Sequence, residues 1–190
     1  MNNNLPFILD FDLVTGMCNS GKAQPTHRTV GNMAAQFQDT EAAKTMADKP
    51  IYDFYELNQI PETAGDLKFG TSIVYPGKVG DEYFMTKGHF HTILETGEVY
   101  YCLSGHGYML IENPEGDWRC LELEAGKAVY VPKRYAHRSI NVSATEPLVT
   151  FYVFRADAGH NYGTIEEKGY RKLLVERDGK PTIIDNPKWN

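Results

Sequence analysis

From Leu67 onward the chain is a succession of short apolar or alternating runs, each closed by a turn signal. Leu67 to Tyr75 stops at Pro76-Gly77, Glu82 to His91 follows, and Glu98 to Leu103 comes after Glu95-Thr96-Gly97. Tyr108 to Asn113 and Trp118 to Leu123 flank Pro114-Glu115-Gly116-Asp117, which predicts a hairpin. Lys127 to Val131 is closed by Pro132, and His137 to Val142 and Leu148 to Arg155 complete the series. Runs of this kind read as strands. About eight of them with no long helix between them imply a barrel or a double sheet. Thr164-Ile165-Glu166-Glu167 predicts a capping box opening a short helix. Leu173 to Arg177 and Thr182 to Asp185, joined by Asp178-Gly179, predict a terminal hairpin. The expected fold class is all-β with short helices.

Residues 1–60 differ in character and read as an N-terminal extension packed on or beside a β core of residues 61–190. Leu5 to Leu13 could form a strand, Asn19 to His27 is polar and turn-like, and Met33 to Met46 could hold a helix that Pro50 ends. The net charge of −6 argues against a general nucleic-acid binder, which needs a basic face. No apolar run approaches the roughly 18 to 20 residues that cross a bilayer. Met1-Asn-Asn-Asn-Leu-Pro has no signal-peptide character, and Cys18, Cys102 and Cys120 are three cysteines without a CxxC. The expected location is a reducing cytoplasm.

Gly88-His89-Phe90-His91 carries the chemistry. In an extended chain alternate side chains share a face, so His89 and His91 can chelate one ion while Phe90 points away. Glu98 and Tyr100 share a face of the next strand, and Gly105 turns the chain beyond them. Gly126, Pro132, His137 and Asn141 then follow in order. Six residues separate His91 from Glu98, and Glu95 lies nearer, but its Glu-Thr-Gly setting is turn-like, which leaves Glu98 the better ligand. His89, His91, Glu98 and His137 together suit one divalent first-row ion, iron(II) first, with manganese, nickel or zinc as alternatives. His27 and His106 have no such company and read as surface residues.

These spacings resemble the two cupin motifs, with a longer gap before Glu98 and with Arg134 where the common pattern has Gly. Thr71-Ser-Ile-Val-Tyr-Pro-Gly-Lys, Thr86-Lys-Gly-His-Phe-His91, Tyr130-Val-Pro, His137-Arg-Ser-Ile-Asn141, Asp157-Ala-Gly-His-Asn-Tyr-Gly163 and the closing Asp185-Asn-Pro-Lys-Trp189 resemble the cupin-type phosphoglucose isomerases. That resemblance implies a double-stranded β-helix (jelly-roll) barrel, usually a homodimer, interconverting glucose 6-phosphate and fructose 6-phosphate. It implies that Thr71, Thr86 and Gly88 hold the phosphate, and that Tyr100, His160 and Tyr162 lie near the sugar and phosphate. The family often has Tyr-Pro where this chain has Phe154-Arg155.

The residues suit that chemistry. Thr hydroxyls and a Gly amide donate to an anion while crowding it little. Aldose–ketose isomerisation moves hydrogen between C1 and C2 and develops charge on O1 and O2, which a metal polarises. Glu98 is the first candidate for the base of an enediol route, with Tyr100 as a donor beside it; a hydride shift would need only metal and positioning. The rival readings are a cupin oxygenase and a non-catalytic sugar-phosphate-binding module.

Overall fold

A computed structural model describes residues 6–57 and 59–189. The first five residues, including the Leu5 end of the strand expected over Leu5 to Leu13, lie outside the described residues. Two strands precede the series read from the sequence: β1 (Pro25–Thr29) and β2 (Pro50–Glu56). There follow β3 (Leu67–Val74), β4 (Lys78–Val79), β5 (Glu82–Tyr83), β6 (Glu98–Ser104), β7 (His106–Glu112), β8 (Trp118–Glu124), β9 (Ala128–Val131), β10 (Ala136–Asn141) and β11 (Leu148–Arg155). The short helices α1 (Thr40–Thr45) and α2 (Gly163–Lys168) and the hairpin of β12 (Lys172–Arg177) and β13 (Lys180–Asp185) complete them.

The strands form a six-stranded antiparallel sheet in the order β1-β2-β3-β11-β6-β9, a three-stranded sheet β10-β7-β8 and a four-stranded sheet β13-β12-β5-β4. The fold is the expected all-β cupin-type barrel. One core lies inside it, where Val74, Met109, Leu110, Leu123, Ile140 and Leu148 are almost wholly buried. A second apolar cluster, with Ile73, Val149 and Tyr55, covers the opposite face of the six-stranded sheet under Leu9, Phe11 and Cys18. The large sheet is therefore buried on both faces over β3 and β11.

The N-terminal expectations change in three places. Among the described residues, Phe11 makes only an isolated bridge to Cys18. The Asp12 carboxylate accepts the Val14 and Thr15 amides at 2.9 and 2.7 Å, an Asx turn that reverses the chain before a strand can extend. Asn19 to His27, expected to be turn-like, runs into the first half of β1, whose partner β2 is too distant in sequence for local pattern to reveal. The single helix expected over Met33 to Met46 divides into a 3-10 turn, Val30–Gln36, and α1, because Asp39 caps α1 by accepting the Ala42 amide at 2.8 Å. Thr164 is not a cap either: α2 begins one residue earlier, after Tyr162. Of Glu82 to His91 only Glu82–Tyr83 is regular strand.

Glu82 is buried, its Oε2 accepting the Gln38 amide at 2.9 Å while Oε1 has no partner among the described residues. Burial pushes its carboxyl up to about 7, against the Gln38 hydrogen bond and the nearby Arg138 and Lys188 charges. The folded state thus holds a proton that the unfolded state releases near pH 4.5. Stability is expected to fall as pH rises from about 4.5 to 7, by roughly 3 kcal/mol from this group. Glu82→Gln keeps the acceptor for Gln38, and its stability should lack that component of the slope. Denaturant melts of both proteins at pH 5 and 8 read the difference; parallel pH profiles would contradict the assignment.

Candidate metal centre and its cavity

Residues 85–91 run beside β10, with bridges Met85↔Ile140 and His89↔His137. This brings the two alternate histidines against the histidine of the second motif. The backbone takes a left-handed turn at Gly88 (φ +71°), where a Cβ would lie 2.6 Å from the Tyr170 hydroxyl and 2.9 Å from the His137 carbonyl. Only glycine fits there. Glu98 reaches the same point from the first position of β6. Ligand atoms of His89, His91, Glu98 and His137 all lie within 4.8 Å of one another.

The tautomer of His91 follows from its neighbour. The Thr96 hydroxyl donates to the Ile93 carbonyl at 2.7 Å, so it accepts from His91 Nδ1–H, also at 2.7 Å. The Nε2 lone pair is left facing the cluster, 3.1 Å from Glu98 Oε2. The long gap before Glu98 therefore holds the turn that orients His91. Glu95 is exposed and pairs with Lys133, away from the cluster. Arg134, in the common glycine position, has φ +72°; its amide donates to the Leu94 carbonyl at 2.7 Å and its guanidinium pairs with Glu115 at 2.5 Å.

The donor set fits a metal ion. Among the described residues, His89 Nε2 and His137 Nε2 are buried without hydrogen-bond partners, although His137 Nε2 is 2.9 Å from Glu98 Oε2. Burial holds the His89 imidazole well below its usual pKa, and its neighbour His137 adds to this, so it is neutral with a free lone pair. Burial raises the Glu98 carboxyl, but the neighbouring His137 outweighs it and holds the group below the usual carboxylate range. Three imidazoles and one carboxylate make a coordinating set for a divalent first-row ion. Each group alone would be costly in a barrel interior.

Three of the four donors, His89, Glu98 and His137, face a cavity of about 80 Å³. Of the residues singled out in the sequence, Thr86, Gly88, Tyr100, His160 and Tyr162 line it with His89, Glu98 and His137. His160 stands 4.3 Å from the His89 ring, centroid to centroid, and stacks on Tyr162 at 6.1 Å. Burial raises the Tyr100 hydroxyl well above its usual pKa, and the Glu98 charge raises it further, which keeps it a donor. Thr71 is elsewhere. Its side chain lies on the opposite face of β3 and its hydroxyl donates to the Gly16 carbonyl at 2.5 Å. Ser72, one residue on and hence on the other face, lines the cavity in its place.

Phe154 lines the cavity, stacked on His91 at 6.0 Å, whereas Arg155 pairs with Asp157 at 2.5 Å outside it. His27 pairs with Asp53 and His106 with Glu122, both on the surface.

Besides Ser72, five cavity residues were not singled out in the sequence. Tyr52, Phe54 and Glu56 come from β2, Tyr152 from β11, and Lys87 lies inside the histidine motif. The Lys87 ammonium sits 4.2 Å over the Tyr162 ring and pairs with Glu166 at 2.7 Å. Arg28, on β1, lines the adjoining mouth with Phe54, Glu56, His160 and Tyr162. The pocket is thus not built from neutral donors alone. The Thr-Lys-Gly run could have revealed Lys87; the others depend on long-range pairing.

Comparison with known proteins bears on what such a pocket serves. A family model described as glucose-6-phosphate isomerase matches residues 27–189. The glucose-6-phosphate isomerase of Thermococcus litoralis is 46% identical over 187 residues, covering 97% of this chain and 96% of that protein. That of Pyrococcus furiosus is 43% identical, covering 97% of each chain, and that of Sinorhizobium medicae is 36% identical over 97% of this chain and 87% of that one. Among solved structures, Bacillus subtilis oxalate decarboxylase overlaps 57% of this chain and 26% of its own at 24% identity and a TM-score of 0.43, too little to bear on the site. The histidine–carboxylate cluster and its cavity lie wholly within the matched residues, and the relatives agree with this chain nearly end to end. The chain belongs to the glucose-6-phosphate isomerase family.

Proposed function

We propose that this chain interconverts glucose 6-phosphate and fructose 6-phosphate with one divalent transition metal ion per subunit, iron(II) first, held by His89, His91, Glu98 and His137. The observation that carries the reading is the pairing of that donor cluster with a cavity that also presents Thr86, Lys87, Gly88 and Tyr162. A sugar phosphate needs both ends. When bound, the ion supplies Lewis acidity toward the O1 and O2 oxygens of the open-chain sugar.

The chain's own groups would do the rest. Thr86, Gly88 and Tyr162 would donate to the phosphate, with Lys87 adding charge and Ser72 standing where Thr71 was expected. His160 and Tyr162 would close over the sugar at the mouth. Tyr100, kept protonated, would donate a hydrogen bond to an oxygen on which charge develops. Glu98 is the first candidate for carrying the proton between C2 and C1 in an enediol route. As a ligand it is a weak base, so a hydride shift between the same carbons is the competing path.

The exposed apolar side chains Val99, Tyr101 and Tyr130 on the outer face of β6 and β9 support a homodimer. Residues 1–60 would act as an extension of the 61–190 barrel that contributes to its pocket. The three unpaired cysteines are consistent with a cytoplasmic enzyme.

Assay of the purified protein with either sugar phosphate tests the proposal: turnover in both directions is expected, and no turnover of either by metal-loaded protein would defeat it. A finer prediction concerns Phe154. A tyrosine there would add a donor worth about 0.5–1.5 kcal/mol. Phe154→Tyr should lower the KM for sugar phosphates by about three- to tenfold with kcat little changed, since such a contact acts on ground and transition states alike. An unchanged KM would show that position 154 makes no contact with the sugar phosphate.

A further inference from the structure

Two carboxylates line the cavity, Glu98 and Glu56, and only Glu98 belongs to the histidine cluster. Glu56 is half-buried at the end of β2, on the same face as Tyr52 and Phe54. Its nearest cation, Lys68 Nζ, stands at 3.6 Å, outside hydrogen-bond range, and is drawn instead to Glu62 at 2.7 Å. Lys68 is itself buried, so one ammonium faces two carboxylates. Glu56 is held in place electrostatically while keeping acceptor capacity to spare.

The sheet register gives that capacity a direction. Glu56 pairs with Gly70, Gly70 with Tyr152, and Tyr152 with Tyr100, one row across β2, β3, β11 and β6. Gly70 has no side chain to separate Glu56 from Tyr152. A Cβ there would lie 1.8 Å from the Tyr55 carbonyl oxygen and 3.0 Å from the Tyr152 hydroxyl, which donates to that carbonyl at 3.0 Å. A polar row thus leads from Glu56 at the mouth to Tyr100, two residues from Glu98. Most polar groups along the cavity, Ser72, Thr86, Lys87 and the tyrosines, can donate. A sugar chain carries several hydroxyls that must donate in turn, and a carboxylate is the strong acceptor for them.

We propose that Glu56 is a substrate-contacting residue whose carboxylate accepts hydrogen bonds from hydroxyls of the open-chain sugar. It thereby fixes which two carbons lie against the histidine–carboxylate cluster. This rests on the isomerase reading and names how that site reads the sugar rather than the phosphate. Hydroxyl configuration then becomes part of recognition, because an epimer that turns a hydroxyl away leaves the carboxylate without its donor.

The test compares wild type with Glu56→Ala and Glu56→Gln. It reads kcat/KM in both directions, affinity for glucose 6-phosphate by calorimetry, competitive inhibition by inorganic phosphate, and metal content. Loss of a charged acceptor should cost Glu56→Ala about 10–100-fold in kcat/KM and in sugar-phosphate affinity, with Glu56→Gln between it and wild type. Inhibition by inorganic phosphate, which has no sugar hydroxyls, and metal content should stay within twofold. Sugar-phosphate affinity within twofold of wild type in both variants would overturn the proposal. So would parallel losses of phosphate inhibition and metal content, the mark of a merely structural role. Calorimetry reads the contact whether or not wild type turns over, so failure of the isomerase reading and failure of this one are distinguishable.

Discussion

His91→Ala is expected to give a folded barrel that loses its metal ion and, with it, turnover. The side chain supplies one of four donors and carries its lone pair toward Glu98 because Thr96 holds the opposite nitrogen. Its removal leaves Glu98 ionised among fewer imidazoles and strips one face of Phe154. Changing only a group that orients a ligand costs roughly 10–100-fold in metal affinity, so removing the ligand should cost at least about 100-fold. Thr96→Val, which leaves His91 in place but takes away its acceptor, should fall in the lower range. Metal content after dialysis against a graded chelator, with circular dichroism as the control for folding, measures both. A His91→Ala protein that keeps a stoichiometric ion would show that the donor set has been misassigned.

Arg138→Met should cause the largest loss of stability. Arg138 is 1% exposed, and its guanidinium donates to the Gln36 side chain at 2.5 Å, to the Lys87 carbonyl at 2.6 Å and to Met85 Sδ at 2.9 Å, above the Tyr170 ring. It thereby ties the N-terminal segment and the residue before Gly88 to β10. Met refills the stem but leaves two buried carbonyl oxygens without donors, at about 1–3 kcal/mol each. The total, roughly 2–6 kcal/mol, corresponds to a melting temperature lower by about 5–25 °C for a chain of this size. A change of less than 2 °C would mean that the network relaxes at no cost.

The histidine–carboxylate cluster was legible in the sequence because alternation puts His89 and His91 on one side, and turn-bounded strands bring Glu98 and His137 beside them. The pocket wall was less so. In β3 both faces are covered, one by the barrel interior and the other by Leu9, Phe11 and Cys18. Leu67 to Val74 therefore lacks the polar–apolar alternation that marks an inner face, and a one-residue choice exchanges Thr71 for Ser72. Glu56 and Arg28 depend on β1 and β2 joining the large sheet, a pairing set by contacts far apart in the chain. Asp12 and Asp39 were decisive in the extension through their own backbone hydrogen bonds, which compete with the strand and helix that composition favoured.

Isomerase turnover against bound metal tests the central claim most directly. Protein stripped by chelation is titrated with iron(II), manganese, nickel and zinc in turn, and glucose 6-phosphate to fructose 6-phosphate conversion is followed with ions bound per chain. The expected result is no turnover in the stripped protein, and activity that rises in proportion to bound ion and saturates at about one per chain. Full turnover by metal-free protein, or saturation with no conversion of either sugar phosphate, would contradict it.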